Sequence, residues 1–344
     1  MSHRAPRAAV LAMALFGVQT AAAQPPGDFY AGKTVKIVIG AATGGEYGLY
    51  SQLVAQHIGK FIPGKPTVIV QSMLGGGGMN ALNHLANVAA QDGTVLSLPY
   101  VNIVQDGLLN PRARFEPGKF QWIGRLREQL QVGVASAQSN VRSLAEARTK
   151  ELVAGATAAN NPSALNARIL NAFSGTKFKT VTGYKGTHEV SIAWERGEVD
   201  VLTTGWDNIT RRYGDQVKAG LINPLYLYGM QRPPELAHVP LITEFGRNDA
   251  ERAFLQIYTV GTEIGRSIAA PPGVPKERVD ILRIAFVKML HDPDFKAAVS
   301  KGNITIDPLG GEKLDSIVAD VVALPATTIA SARVLYDRLL SEAK

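Results

Sequence analysis

Twice within its first hundred residues the chain runs from a β-branched stretch through a glycine-rich turn into an apolar pattern of helical period. TVKIVIG (34–40) reads as a strand; AATGGE follows, then LYSQLVAQHIGKFI, where Tyr50, Leu53, Val54, His57, Ile58 and Phe61 recur at helical spacing. The order repeats in TVIVQSM (67–73), GGGG (75–78) and a helix face marked by Met79, Leu82, Leu85 and Val88, before the strand TVLSLPY (94–100). A βαβαβ run implies a parallel sheet, because a strand returns beside its predecessor in the same sense only through a crossover.

A second unit of this kind begins near residue 151. ELVAGAT reads as a strand, TAANN as a polar loop, and PSALNARILNAF as a helix with Asn161 at its N-cap and Pro162 in its first turn. KFKTVTGY and VDVLTTG (199–205) are further strands around the short helix GTHEVSIAWERG. Between the units lie the turn-rich NPRARFEPGK and two strand candidates, FQWIGRL and QVGVASA. FLQIYTVG (254–261) reads as a late strand, followed by APPGVP and helices near 276–290 and 293–301. The expectation is an α/β chain of two lobes, each a mostly parallel sheet flanked by helices, with a cleft between them. Residues 28–128 plus about 256–344 are assigned to lobe 1 and 129–255 to lobe 2.

At 344 residues and 46% apolar content, the chain can bury one or two full cores. Residues 1–23 read as a cleavable secretory signal: Arg4 and Arg7, the apolar AAVLAMALFGV, then Ala21 and Ala23 before Gln24. Export is therefore expected, and no later segment approaches ~20 uninterrupted apolar residues. Cysteine is absent, which excludes disulfides and thiol catalysis. Removing Arg4 and Arg7 takes the formal charge from +7 to +5, without a Lys/Arg run; this suits a small anion better than a nucleic acid, and equally a merely soluble surface.

In open α/β sheets, ligands sit beyond the carboxyl ends of the strands, where loops lead into helix N-termini. Four such junctions are legible: AATGGE, MLGGGG, TAANNPS and YKGTHE. A helix start offers unpaired N–H groups and partial positive charge, and glycine lets an anion approach that backbone closely. One glycine turn can be turn chemistry alone; two in successive units strengthen the reading as a site. Enzyme patterns are missing. The six histidines show no HExxH or close metal pairing, no GxSxG occurs, and GGGG lacks the Lys and Ser/Thr of a P-loop. Glu46, Glu189 and Asp200 form no singled-out acid/base pair. No catalytic residue, metal or cofactor is expected.

The stretch from KIVIGAATGGEYG to AAQDGTVLSL resembles the N-terminal signature of the substrate-binding proteins of tripartite tricarboxylate transporters, the Bug family. The family order is a strand, a GG loop, a long helix, GxPxVVxNxPGAGG, a second helix and PxDGxTL. Gly44 and Gly45, Gly64, Pro66, Gly75 to Gly78, and Asp92 with Gly93 and Thr94 fall in that order and spacing. GTKFKTVTGYKGTHEVSIAWERGEVDVL is similar to the family's YxG…GxVD segment, and APPGVPKERVDILRIAFVKMLHDPDFKAAVSKGN to its C-terminal one. The resemblance covers most of residues 28–310.

It implies a periplasmic binding protein of type II-like, two-lobed architecture, a monomer, that closes on a small organic mono- or dicarboxylate and delivers it to the membrane components of such a transporter. No nucleic-acid partner is implied. Sensing with a membrane receptor is a second role compatible with the same residues, and a secreted carboxylate or phosphate ester enzyme a remote third. Carried over from the family, the carboxylate falls to Thr43, Gly44, Gly45, Gly76, Gly77 and Gly78, and the ligand's other end to Asn160, Asn161, Ser163, Tyr184, Gly186 and Thr187. Tyr47, Tyr50, Tyr100 and Trp206 can wall the ligand body or belong to the core. The chain departs from the family where Ala41, Ala42 and Thr43 replace a proline-rich stretch and Gly48 stands in place of an Asp; an amino-acid ligand held through that Asp is not expected. Glu46 suits a helix's first turn, but turned inward it would repel a second carboxylate.

Overall fold

β1 (Thr34–Ile39) buries Val35, Ile37, Val38 and Ile39, on both faces at its carboxyl end, because it lies inside a sheet covered on both sides. β2 (Thr67–Ser72) and β3 (Val95–Ser97) run parallel on either side, with Ile37 in register with Val70 and Leu96. α1 (Glu46–Ile58) crosses from β1 to β2 and turns Tyr50, Leu53, Val54 and Ile58 inward. α2 (Met79–Asn87) buries Met79, Leu82 and Leu85; Val88, expected on that face, lies one residue past the helix end and is 71% exposed. The computed structural model describes residues 29–157 and 161–341, so the expected signal segment and Asn160 lie outside the described residues.

The chain continues through α3 (Ile103–Leu109), β4 (Gln121–Arg127), β5 (Gln131–Ser136), β6 (Glu151–Gly155), α4 (Pro162–Ser174), β7 (Lys177–Val181) and α5 (Thr187–Glu195). β8 (Val201–Gly205), α6 (Trp206–Lys218), β9 (Ile222–Tyr228), α7 (Asp249–Ile264) and β10 (Arg266–Ala270) follow. α8 (Lys276–His291), α9 (Pro293–Lys301), β11 (Leu309–Gly310), α10 (Gly311–Val322) and α11 (Ala326–Ser341) complete it.

The strands form two sheets, in the orders β11-β4-β10-β3-β1-β2 and β7-β6-β8-β5-β9. Both are mixed, which corrects the expectation of mostly parallel pairing. β10 is antiparallel to β3 and β4, and β5 is antiparallel to β8 and β9. The reason lies in connectivity. β5 follows β4 across from the first sheet, and β10 follows α7 back into it. Each enters at the edge where its neighbours end and must run against them.

FLQIYTVG is helical, inside α7, and the late strand begins at Arg266. Twelve of the sixteen residues of α7 are buried, and within FLQIYTVG every residue but Gln256 is, so that window shows no exposed face from which a helical period could be read. α7 packs against α3, α10 and α11, and α11 also reaches α4, so helices from both ends of the chain bridge the two sheets. Phe254 stacks on Tyr258 at 5.9 Å, and the Tyr258 hydroxyl donates to Asn166 Oδ1 at 2.7 Å. Burying rings of this size contributes roughly 1.5–3 kcal/mol each. No single helix among the described residues is long and apolar enough to cross a membrane.

Candidate functional site: a cleft of helix N-termini

Four helices begin beside the space between the sheets, and none of the four carries a side-chain cap. The N-caps of α1, α4, α5 and α6 are Gly45, Asn161, Gly186 and Gly205. Asn161 holds the N-cap position, as expected, but its amide donates to the Thr157 hydroxyl instead of accepting from its own helix. By contrast, Asn248 and Asp292 cap α7 and α9 through their side chains. Glu46, Glu189 and Asp207 stand in the first turns of α1, α5 and α6, whereas α4 has no acidic residue there, so its start leaves backbone donors and partial positive charge most available to an anion.

The glycine run supplies a fifth backbone element. Gly75, Gly76, Gly77 and Gly78 have φ of 117°, 59°, 65° and 102°, a succession that L side chains rarely adopt. A Cβ on Gly78 would stand 2.6 Å from the Tyr100 ring, whereas Gly77 faces open space. In the first loop, a Cβ on Gly48 would stand 1.9 Å from the Thr43 carbonyl oxygen. The tight turn into α1 therefore leaves no room for the Asp that the family pattern has there.

Three cavities adjoin these elements. One of about 390 Å³ is lined by Tyr47, Gly77, Tyr100, Asn161, Ser163 and Thr187 from the expected set, together with Asn102, Gln129, Gln131, Thr157, Thr203, Tyr228 and Thr262. A second, of about 490 Å³, shares Gln129, Gln131, Thr187 and Thr203 with it and adds a charged group, Glu46, Arg127, Glu128, Arg211, Arg212 and Arg266. A third, of about 350 Å³, lies on the far side of Gly77 and Tyr100, takes in Gly76 and Asn161, and reaches α11 at Tyr336 and Asp337.

Thr43, Gly44, Gly45, Gly78, Tyr184, Gly186 and Trp206 line none of the three. The first three are exposed, Gly78 is buried against Tyr100, and the Trp206 indole donates to Glu235. Tyr50 belongs to the core; its hydroxyl donates to the Thr305 carbonyl at 2.7 Å. Tyr47 accepts from the Val101 amide at 3.2 Å, and the Arg266 guanidinium stacks 4.2 Å from its ring centroid. Tyr100 donates to Asp106 at 2.6 Å, and burial together with that carboxylate holds its phenol protonated far above the ordinary tyrosine range.

The charged wall contains residues that the strand-and-loop reading passed over. Glu46 accepts from Arg266 at 2.6 Å and lies 3.4 Å from Arg127, so its carboxylate both starts α1 and neutralises two inward arginines. Arg127 also pairs with Asp207, in the first turn of α6, at 2.5 Å. Burial, then the nearby Glu263 carboxylate, pushes Glu128 up to about 7. A sequence signal existed for Gln129 and Gln131, a polar break between two strands; Arg266 was hidden because the segment before it read as a strand. No group of three His, Cys, Asp or Glu among the described residues could hold a metal ion.

Two mixed sheets joined by two crossings, with the helix starts of both facing a shared cleft, define the fold of two-lobed solute-binding proteins. More narrowly, it is the fold seen in TctC and Bug solute-binding proteins. A TctC solute-binding protein from Polaromonas is 17% identical, with a TM-score of 0.66 over 91% of this chain and 99% of that one. A Rhodopseudomonas palustris protein, Rpa4515 with adipate, is 18% identical, with a TM-score of 0.58 over 88% and 97%. MatC from the same organism, with bound malate, is 19% identical, with a TM-score of 0.54 over 90% and 99%. No protein-family model and no curated protein sequence matches the chain.

Proposed function

We propose that this chain is a non-enzymatic, periplasmic solute-binding protein that captures a small organic carboxylate between its lobes and delivers it to a tripartite tricarboxylate-type transporter. The observation that carries the reading is the meeting of the first turns of α1, α4 and α5, through Tyr47, Ser163 and Thr187, with Gly77 of the glycine run around one cavity, while the start of α6 lines the adjoining one. Backbone donors of this kind suit an oxyanion without requiring a charged side chain at the point of contact. Solved structures of the same fold with malate and adipate support a carboxylate as the occupant. The lobes are taken as residues 28–128 with about 256–344 and 129–255, the chain leaving the first sheet at residues 128–130 and re-entering it at Gly265, after α7. Closure follows from differential binding, since only the closed form lets both lobes contact the ligand.

Purified mature protein should gain thermal stability with at least one member of a carboxylate panel at millimolar concentration, since a ligand of the native state stabilises by mass action. The bound acid should be recoverable by native mass spectrometry. A broad panel without any shift and without retained ligand removes the reading.

A further inference from the structure

We propose that Arg127 and Arg266 form an anion subsite for a second acidic group on the ligand, and that Glu46 is an internal competitor for it and thereby sets the selectivity of the cleft. The inference rests on reading the cleft as a carboxylate site. It concerns the compartment that the glycine loops do not reach.

Three observations meet at this point. First, Arg266 is 3% exposed, and its Nε has no hydrogen-bond partner among the described residues. Its other nitrogens are held by Glu46 and, at 2.6 Å, by Gln129. A guanidinium stays charged when buried, so this position requires an anion beside it. Second, the anion now supplied is the most accessible member of the group. The Glu46 side chain is 46% exposed, against 18% for Arg127 and 3% for Arg266. Its exposure lets Glu46 rotate its carboxylate into water once another anion takes its place, whereas the more buried arginines have less room to follow it. Third, Glu46, Arg127 and Arg266 line the larger cavity, which joins the carboxylate compartment through Gln129, Gln131, Thr187 and Thr203. One molecule can thus present one acidic group to the glycine loop and another to the arginines.

The local charge favours the exchange. Without Glu46, Arg127 keeps Asp207 as its partner, while Arg266 keeps only the Gln129 amide oxygen. Arg211, on the same cavity wall, bonds to Asn208 and has no ion pair among the described residues. An incoming carboxylate therefore replaces a carboxylate at a cationic position, and its net gain is reduced by the tethered competitor. Monoanionic ligands that use only the glycine-loop end do not meet that competition.

The test compares wild type with Glu46→Gln in two arms. In the first, inorganic sulfate at millimolar concentration probes the arginine pair directly; it should raise the melting temperature of Glu46→Gln several degrees more than that of wild type. In the second, calorimetry with adipate and hexanoate compares acids of equal length with two carboxylates and one. Removing a tethered competitor of millimolar effective concentration should tighten adipate binding on the order of tenfold, with hexanoate nearly unchanged. Equal sulfate shifts, or equal tightening of both acids, overturn the subsite while leaving the carboxylate reading intact. Sulfate selectivity without binding of either acid, extended to the wider panel, overturns the carboxylate reading instead. Glu46→Asp retains the charge at the start of α1 with a shorter reach and should give an intermediate adipate affinity; it serves if the neutral variant folds poorly.

Discussion

Gly40, at the end of β1, lies against the backbone of Gly78: a Cβ on Gly40 would stand 2.4 Å from the Gly78 α-carbon. The first strand end and the last glycine of the run thus touch with no side chain between them. This contact, together with the bond from the Met73 amide to the Ile39 carbonyl at 2.9 Å, holds the second loop against the first. Gly40→Ala should force the loops apart and destabilise by about 1–3 kcal/mol, the usual cost of an added carbon in a close contact. Urea unfolding reads the stability. The carboxylate-induced thermal shift should fall in parallel, and a variant with unchanged stability and unchanged shift would show that the contact has no role.

Gly77 separates occupancy from folding. Its φ is 65° and no atom lies within 4 Å of where its Cβ would be. Gly77→Leu should cost about 1–2 kcal/mol for the left-handed backbone and place its side chain where two cavities adjoin. Carboxylate binding should be lost while circular dichroism and cooperative unfolding remain. Retained affinity would exclude this loop from the site.

Glu128 makes stability depend on pH. Its carboxyl is raised from the ordinary 4.5 to about 7, by burial first and by Glu263 second. A raised acid contributes stability that is fully present below its unfolded value. That stability is lost as pH rises through the folded value, here between about 4.5 and about 7. Allowing for solvent screening of a part-exposed group, the loss is about 1–2 kcal/mol. Glu263 is raised in the same direction, also mainly by burial. Glu128→Gln should therefore flatten the decline in melting temperature across this window; an identical pH profile would place the carboxylate in water.

How much of this was legible follows from the kind of signal each element carries. β1 and β2 announce themselves as short β-branched runs, α1 by apolar residues at helical spacing, and the glycine run by a backbone that only glycine adopts readily. α7 does not, because its exposed residues, Asp249 and Arg252, lie in its first turn, and the FLQIYTVG stretch beyond them is apolar, partly β-branched and almost wholly buried. Its start was still written in the sequence: Asn248 precedes Glu251 by three residues, and the Asn248 side chain accepts from the Glu251 amide. The glycine run was therefore readable, while the arginine wall was not. Arg127 and Arg266 lie far apart in sequence and meet Glu46 only because β4 and β10 are neighbours, with Arg266 in register with Arg127.

The two crossings also restrain each other. The Gln129 amide donates to the Thr262 carbonyl at 2.9 Å, and Gly265 adopts φ 52° and ψ −126°. A Cβ on Gly265 would stand 2.0 Å from the Arg127 carbonyl oxygen and 3.0 Å from the Glu128 α-carbon. That backbone conformation is close to glycine-only, and the contacts are with main chain, which cannot rotate away. Gly265→Ala should therefore spread the crossings, lowering stability by about 2–4 kcal/mol from strain and overpacking together. Because Arg127, Gln129 and Arg266 flank this point, ligand affinity should fall as well. Urea titration and calorimetry on one preparation measure both effects. If stability falls while affinity holds, the two crossings are only a structural seam and the lobes close elsewhere; if neither changes, the backbone adapts and Gly265 is no restraint.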